Sequence, residues 1–366
     1  MPKGKFFTIG YGIIVVFIII YLGTLIDFIF TPIVVLIQTL FAPIILAGVL
    51  YYLGRPVVKV LSRRMPRVAA ILLLYLGGAG LISFLIYLVG PELQRQFYSF
   101  VNNVPFFINE IRYMIIELQN NEWINNVIEQ NEELSIEEIT RQAAEYLNDF
   151  AGQLGSNLAS LFGAIANFLI IIIIIPFILF YMLKEGEKAP NMVLKLLPLK
   201  HQQEGRKVLS DMDNALSSYI QGQIIVSFCV GVLVYIGYLI IGLDYSLVLA
   251  LVAMFTNVIP FIGPWIGTFP GVIVGLLHSP LMALLVIIIV VVVQQIESNV
   301  IAPQVMGRKL SIHPLTIILL LLVAGRFAGL IGLLLAVPTY AVGKVIVSHT
   351  YRLLKLRKPP EEDGKL

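Results

Sequence analysis

The chain has 366 residues, 58% of them hydrophobic and 13% charged, and its 25 Lys and Arg against 22 Asp and Glu leave a formal charge of +3. A mean hydropathy of +0.90 excludes an ordinary water-soluble domain of this length, in which about a quarter of residues are charged. The single cysteine, Cys229, excludes an intramolecular disulfide, and its place in an apolar run suits simple helix packing.

Lys3 and Lys5 precede a long apolar run with no small-residue cleavage site behind it, so a retained first helix is expected. A bilayer core about 30 Å thick needs about 20 apolar residues per spanning helix. Such runs fall at 9–26, 33–53, 68–89, 161–183, 217–241 and 281–294, which predicts an all-α polytopic membrane protein. Between the second and third runs lie Arg55, Lys59, Arg63, Arg64 and Arg67 with no acidic residue among them, which places that loop in the cytoplasm. Alternation carries 184–213, with six Lys or Arg, and the tail with Arg352, Lys355, Arg357 and Lys358 to the same side, so both termini are expected to be cytoplasmic. The basic loop calls for no partner beyond anionic membrane lipid, and no nucleic-acid partner is expected.

From 91 to 160 the chain leaves the apolar pattern, with eleven Asp or Glu against three Arg, as suits the outer face. Ile108, Ile111, Ile115 and Leu118 recur at helical spacing, and so do Ile136, Ile139, Ala143, Leu147, Phe150 and Leu154. Ser135 with Glu138 forms a capping box that starts the second of these helices. The expectation is an external helical hairpin, either packed on itself or serving oligomerisation or gating.

Past the fifth run, residues 245–277 are apolar but interrupted by Thr256, Asn257, Pro260, Gly263, Pro264 and Pro270, and 315–347 are interrupted by Gly325, Arg326 and Gly329. Span parity returns each stretch to the face it left, giving two broken helical hairpins that enter from opposite faces. One full helix followed by one broken hairpin, repeated in reverse orientation, is the layout of an inverted repeat. Irregular backbone at membrane depth is tolerated where it lines protein or a water-filled cavity, which argues for transport. Parity allows two short, tilted full helices per hairpin equally well. About eight hydrophobic segments thus divide into a three-helix region (1–90), the external hairpin (91–160), a fourth helix with cytoplasmic linker (161–213), a transport core (214–349) and a basic tail (350–366). Gly263, Gly267, Gly271 and Gly275 share one helix face, and Gly325 and Gly329 repeat the spacing; such stripes serve close packing or a sliding, pore-lining surface.

Ionisable groups in lipid are scarce, which singles out Glu297, flanked by Gln294, Gln295, Ser298 and Asn299. A carboxylate there can exchange a proton or bind a cation within an amide-rich shell, or simply sit hydrated at the interface. Arg326 at the second break needs a carboxylate or carbonyl partner, and Glu297 is the expected one. Asn257 at the first break offers a side-chain oxygen or merely turns the chain. Asp244 reads as an interfacial turn residue, and His201, His278, His313 and His349 are isolated, so no metal site is expected. Without a phosphate-cradling Gly-Lys-Ser or Gly-Lys-Thr loop there is no ATPase motor, and any concentrating work must draw on a gradient. No nucleophile with a base argues for an enzyme, and no cofactor is expected.

The residues Gln294-Gln295-Ile296-Glu297-Ser298-Asn299, Ile301-Ala302-Pro303, Gly307 and His313-Pro314-Leu315 resemble the signature of the autoinducer-2 exporter family, the PerM-like permeases. Tyr219-Ile220-Gln221-Gly222-Gln223, Asn257-Val258-Ile259-Pro260-Phe261-Ile262-Gly263-Pro264, Gly329-Leu330-Ile331-Gly332 and Ala336-Val337-Pro338 add to the match, which is densest from 213 to 348. The resemblance implies a bacterial plasma-membrane transporter, often oligomeric, that exports a small solute or signal. Other members look like sodium or lithium/proton antiporters, so a monovalent cation and a proton are rival cargoes. A non-transporting scaffold acting through the external hairpin is the reading from a different class.

Overall fold

The computed structural model describes residues 27–119, 173–306 and 313–356, with parts of 10–21, and every regular element in them is helical. The predicted second arm of the external hairpin, the first half of the fourth span and the end of the tail lie outside the described residues. Five stretches are long and apolar enough to cross a bilayer: Val34–Leu61, Arg67–Asn103, Gln202–Ile240, Pro280–Met306 and Pro314–His349. Their outer faces carry bare Leu76, Tyr87 and Leu322, which suits a lipid solvent.

Helix α1 (Asp27–Leu61) contains Pro32, Pro43 and Pro56. Proline has no N–H, so Pro56 leaves the Tyr52 carbonyl without its helical donor. Gln221 of a later helix fills the gap, its Nε2 donating to that oxygen at 2.8 Å. Helix α2 (Arg67–Gln119) packs on α1 and on α3 (173–185) through Ala47, Tyr51, Ala70, Ile71 and Leu183. Its 53 residues make a rod about 80 Å long at 1.5 Å per residue. The stretch read from sequence as the first arm of a separate hairpin therefore continues the third membrane helix, and Pro91 costs that helix a hydrogen bond without ending it.

After the short α4 (Ala189–Lys195), α5 runs from Gln202 to Ile240, so the helix begins well before the predicted apolar span. Its buried face of Val226, Val230, Val234 and Tyr238 meets α6 (Ser246–Thr256), α7 (Ile262–His278) and α8 (Pro280–Ile296) in the largest apolar core. The 11 residues of α6 give about 16 Å, half a bilayer core, and its end is followed by a five-residue break, 257–261. The first broken segment is thus a helical hairpin whose α6 arm is too short to span, so two full spans are not available there. Gly263 and Gly267 face α6, Gly271 faces Tyr238, and Gly275 faces Ala283 of α8, each close enough that a methyl group would collide.

Past α8 the chain passes through a π-turn, Glu297–Ile301, into α9 (Ala302–Met306). Pro303 supplies a cause: its ring and missing N–H disturb the bond to the Asn299 carbonyl four residues back, and the wider turn absorbs the fault. The last element, α10 (Pro314–Leu356), bends at Ala328 and Gly329, where φ/ψ leave the helical region. The bend is a reversal, because Leu321 and Ala336 share one buried cluster and Gly332 lies against the Ala324 carbonyl. Ile259 from the first break joins that cluster, so the two hairpins touch.

At one face, Arg55 Nη1 bonds Asp213 Oδ2 at 2.7 Å, Arg67 Nη1 bonds Glu187 Oε2 at 2.6 Å, and His349 Nε2 meets Asp211 Oδ2 at 2.9 Å. The 55–67 loop and the 184–213 stretch thus lie together, with His349 of α10 beside them. Arg67 holds the Glu187 carboxyl below the usual carboxylate range through its hydrogen bond. At the opposite face His278 Nε2 meets Asp244 Oδ2 at 2.9 Å and ties the two ends of the first hairpin together.

Candidate functional site

Asn257 ends α6 and is 2% exposed. A buried amide must find partners, and three elements converge to supply them. Gln223 of α5, itself buried, donates Nε2 to the Asn257 backbone carbonyl at 2.7 Å. Asn257 Nδ2 in turn donates to Glu297 Oε1 at 3.4 Å, a long bond from the hairpin tip to the π-turn. Glu297 Oε2 is buried and has no hydrogen-bond partner among the described residues. A buried carboxylate oxygen without a donor is costly, so the site has room for an incoming hydrogen-bond donor.

The tip is held in an uncommon conformation. Phe261 adopts φ +63°, ψ −45°, outside the usual regions for a residue with a side chain. Such strain persists where surrounding packing fixes it, here Ile259 in the inter-hairpin cluster and Gly263 against the Thr256 carbonyl.

Beside this cluster lies an open-sided cavity of about 870 Å³ between α7 and α8, with Trp265 and Phe269 on its exposed rim. Trp265, Phe269, Ile287 and Val291 form its apolar walls, and Gln223, Gln294 and Glu297 its polar end. Ile317 and Val337 of the second hairpin reach the same space. Among the described residues Glu297 is the only ionisable side chain on its lining, and in its ionised form it disfavours anions there.

Of the residues singled out in sequence, Asn257 and Glu297 meet, and Gln294, Gln295, Pro260 and Pro264 line the cavity beside them. Asn299 does not join: its Nδ2 donates to Gln295 Oε1 and to the Gln295 carbonyl, both at 2.9 Å on the exposed side of the helix. Arg326 does not join either. It is exposed beside the second break, and no ion pair links it to Glu297, so the expected Glu297–Arg326 pair is replaced by Asn257–Glu297. Exposure accounts for this, since a long guanidinium stem reaches polar surroundings at lower cost than a buried position between helices. Gln223 was missed as a site residue although it stands in the Tyr219–Gln223 motif. An amide one turn after a tyrosine in an apolar helix was the available signal.

A family model for AI-2E family transporters matches residues 8–352. The chain is similar to YueF of Bacillus subtilis (strain 168), 42% identical over 88% of this chain and 87% of the relative. It is also similar to YrrI of the same organism, 32% identical over 84% and 86%, and to PerM of Escherichia coli (strain K12), 29% identical over 52% and 54%. The first two carry names that call them transport proteins, and the third is named a permease.

Proposed function

Because the chain belongs to the AI-2E transporter family, we propose that it is a gradient-driven secondary transporter that exports a small solute through the cavity between α7 and α8. The observation that carries this reading is Glu297 on its π-turn, bonded by one oxygen to the hairpin tip at Asn257 and unpartnered at the other. An ionised Glu297 holds the tip through Asn257. Protonation, or a donor group on the cargo, neutralises the carboxylate, weakens that bond and frees the tip to move. The cargo class that suits the walls is neutral or cationic, with apolar surface and at least one hydrogen-bond donor. The setting proposed is the bacterial plasma membrane, with both termini cytoplasmic and a homo-oligomeric assembly.

The lone carboxylate also supports a second reading, sodium or lithium/proton antiport, in which Glu297 alternates between a proton and a cation. Purified protein in liposomes containing a pH dye, challenged with sodium, lithium and potassium gradients, separates the two. Cation-dependent proton flux that disappears in Glu297→Gln supports antiport, and its absence from correctly oriented protein removes that reading. A scaffold tolerates Glu297→Gln in every assay, so retention of the wild-type phenotype by that variant in cells overturns both transport readings.

A further inference from the structure

The N-terminus of α6 has a capping fault built into its sequence. The residue in the N-cap position is Tyr245, in the left-handed region at φ +57°, and its side chain caps nothing. The amides of the first turn then need an acceptor from elsewhere, the role an N-cap Ser, Thr, Asp or Asn fills locally. Gln96 of α2 supplies it: its Oε1 accepts from Leu247 N at 3.1 Å and from Val248 N at 3.4 Å. Its orientation is fixed, because Gln96 Nε2 donates to Glu92 Oε1 at 2.7 Å and Arg95 Nη2 holds the same carboxylate oxygen at 2.9 Å. One and two turns further along α2, Phe100 and Asn103 grip Tyr245, the first ring to ring at 5.5 Å and the second by donating Nδ2 to the phenol oxygen at 2.7 Å.

The eleven residues of α6 lead from this clasp to Asn257, its C-cap. A short helix transmits displacement of its base to its tip as a rigid body, so the outer stretch of α2 sets where Asn257 stands against Glu297. We propose that Gln96 is a positioning residue for the transport site, acting through α6, and that the outer part of α2 is the arm through which events on that face reach the hairpin tip. This rests on the reading of Asn257 and Glu297 as that site. It goes beyond that reading by assigning a task to a residue at the far end of α6, outside the cavity lining.

The test reads the tip directly and does not depend on knowing the cargo. In full-length protein with Cys229→Ser, Ile259→Cys places a thiol on the tip itself, where Ile259 is 4% exposed, and its reaction rate with a soluble methanethiosulfonate reagent reports how far the tip is released. Gln96→Met keeps the size and removes the carbonyl. It should raise the rate roughly fivefold, the factor by which loss of one cap shifts a helix-end equilibrium, while a thiol placed at Ser62 on the opposite face keeps its rate. The exchanged pair Glu92→Gln with Gln96→Glu retains both an acceptor for α6 and a donor for that acceptor, and should restore the parent rate. A folded Gln96→Met protein that labels at the parent rate overturns the proposal, as does failure of the exchanged pair to restore it. If Gln96→Met does not fold, Gln96→Asn withdraws the oxygen by one methylene and is read the same way. Failure here leaves the Glu297→Gln flux result untouched, so the two ideas fall separately.

Discussion

In the first hairpin the chain reverses over five residues, 257–261, whereas in the second two residues, Ala328 and Gly329, carry the break. The wider turn places Asn257 between helices, where Gln223 and Glu297 meet it. The tighter turn satisfies itself with apolar packing and a glycine, and its charged neighbour Arg326 stays exposed. A break at membrane depth thus becomes a candidate site only where other elements bring polar groups to it. Two interruptions that look alike in sequence are therefore expected to differ in function.

The comparison can be broken most severely at the glycines that the hairpins share. A methyl at Gly263 strikes the Thr256 carbonyl, and one at Gly332 strikes the Ala324 carbonyl, backbone that cannot step aside. Gly263→Ala and Gly332→Ala should each cost about 3 kcal/mol in unfolding of detergent-solubilised protein. A variant that tolerates the change denies the arm-to-arm packing of its hairpin.

The next test separates the two. Asn257→Ala removes the donor to Glu297 and should cost about 2 kcal/mol along with solute flux, while Arg326→Ala should stay within about 0.5 kcal/mol and keep flux. An Arg326→Ala protein that folds but is silent in transport would bring the second hairpin into the path and erase the contrast. Smaller again is Gly329→Ala. Space around Gly329 is open, so only its φ of +56° and ψ of −138° resist a side chain, at about 1 kcal/mol. A larger loss would mean that the second turn is as tightly determined as the first.

The least effect is expected at a contact that belongs to neither hairpin. Glu187 has its folded carboxyl held low by Arg67, so its contribution is present above the ordinary carboxylate range and is lost as pH falls through the folded value. Melting temperature followed down an acid titration should fall slightly less steeply in Glu187→Gln. Identical curves would show that the Arg67 contact does not stabilise the fold.

The helices and the first break were legible because apolar runs set spans and the Asn-Val-Ile-Pro-Phe-Ile-Gly-Pro segment interrupts one of them. That the 55–67 and 184–213 segments share a side was legible from their basic residues, and Arg55 with Asp213 and Arg67 with Glu187 join them. The Glu297 partner was not legible, since scarcity of charge pointed to Arg326 while the actual contact is a neutral amide 40 residues upstream. The path of α2 was hidden for a different reason. Acidic composition reports departure from lipid, and it is silent on whether the helix stops there.

The capping of α6 also has an order in time. Gln96 precedes Leu247 by 151 residues, and at roughly 5 to 20 residues per second a ribosome makes the acceptor some eight to thirty seconds before the donors it will hold. The half-length helix therefore emerges into a membrane where its missing cap already waits, and a helix that lies far away in the chain acts as the template on which the hairpin is finished.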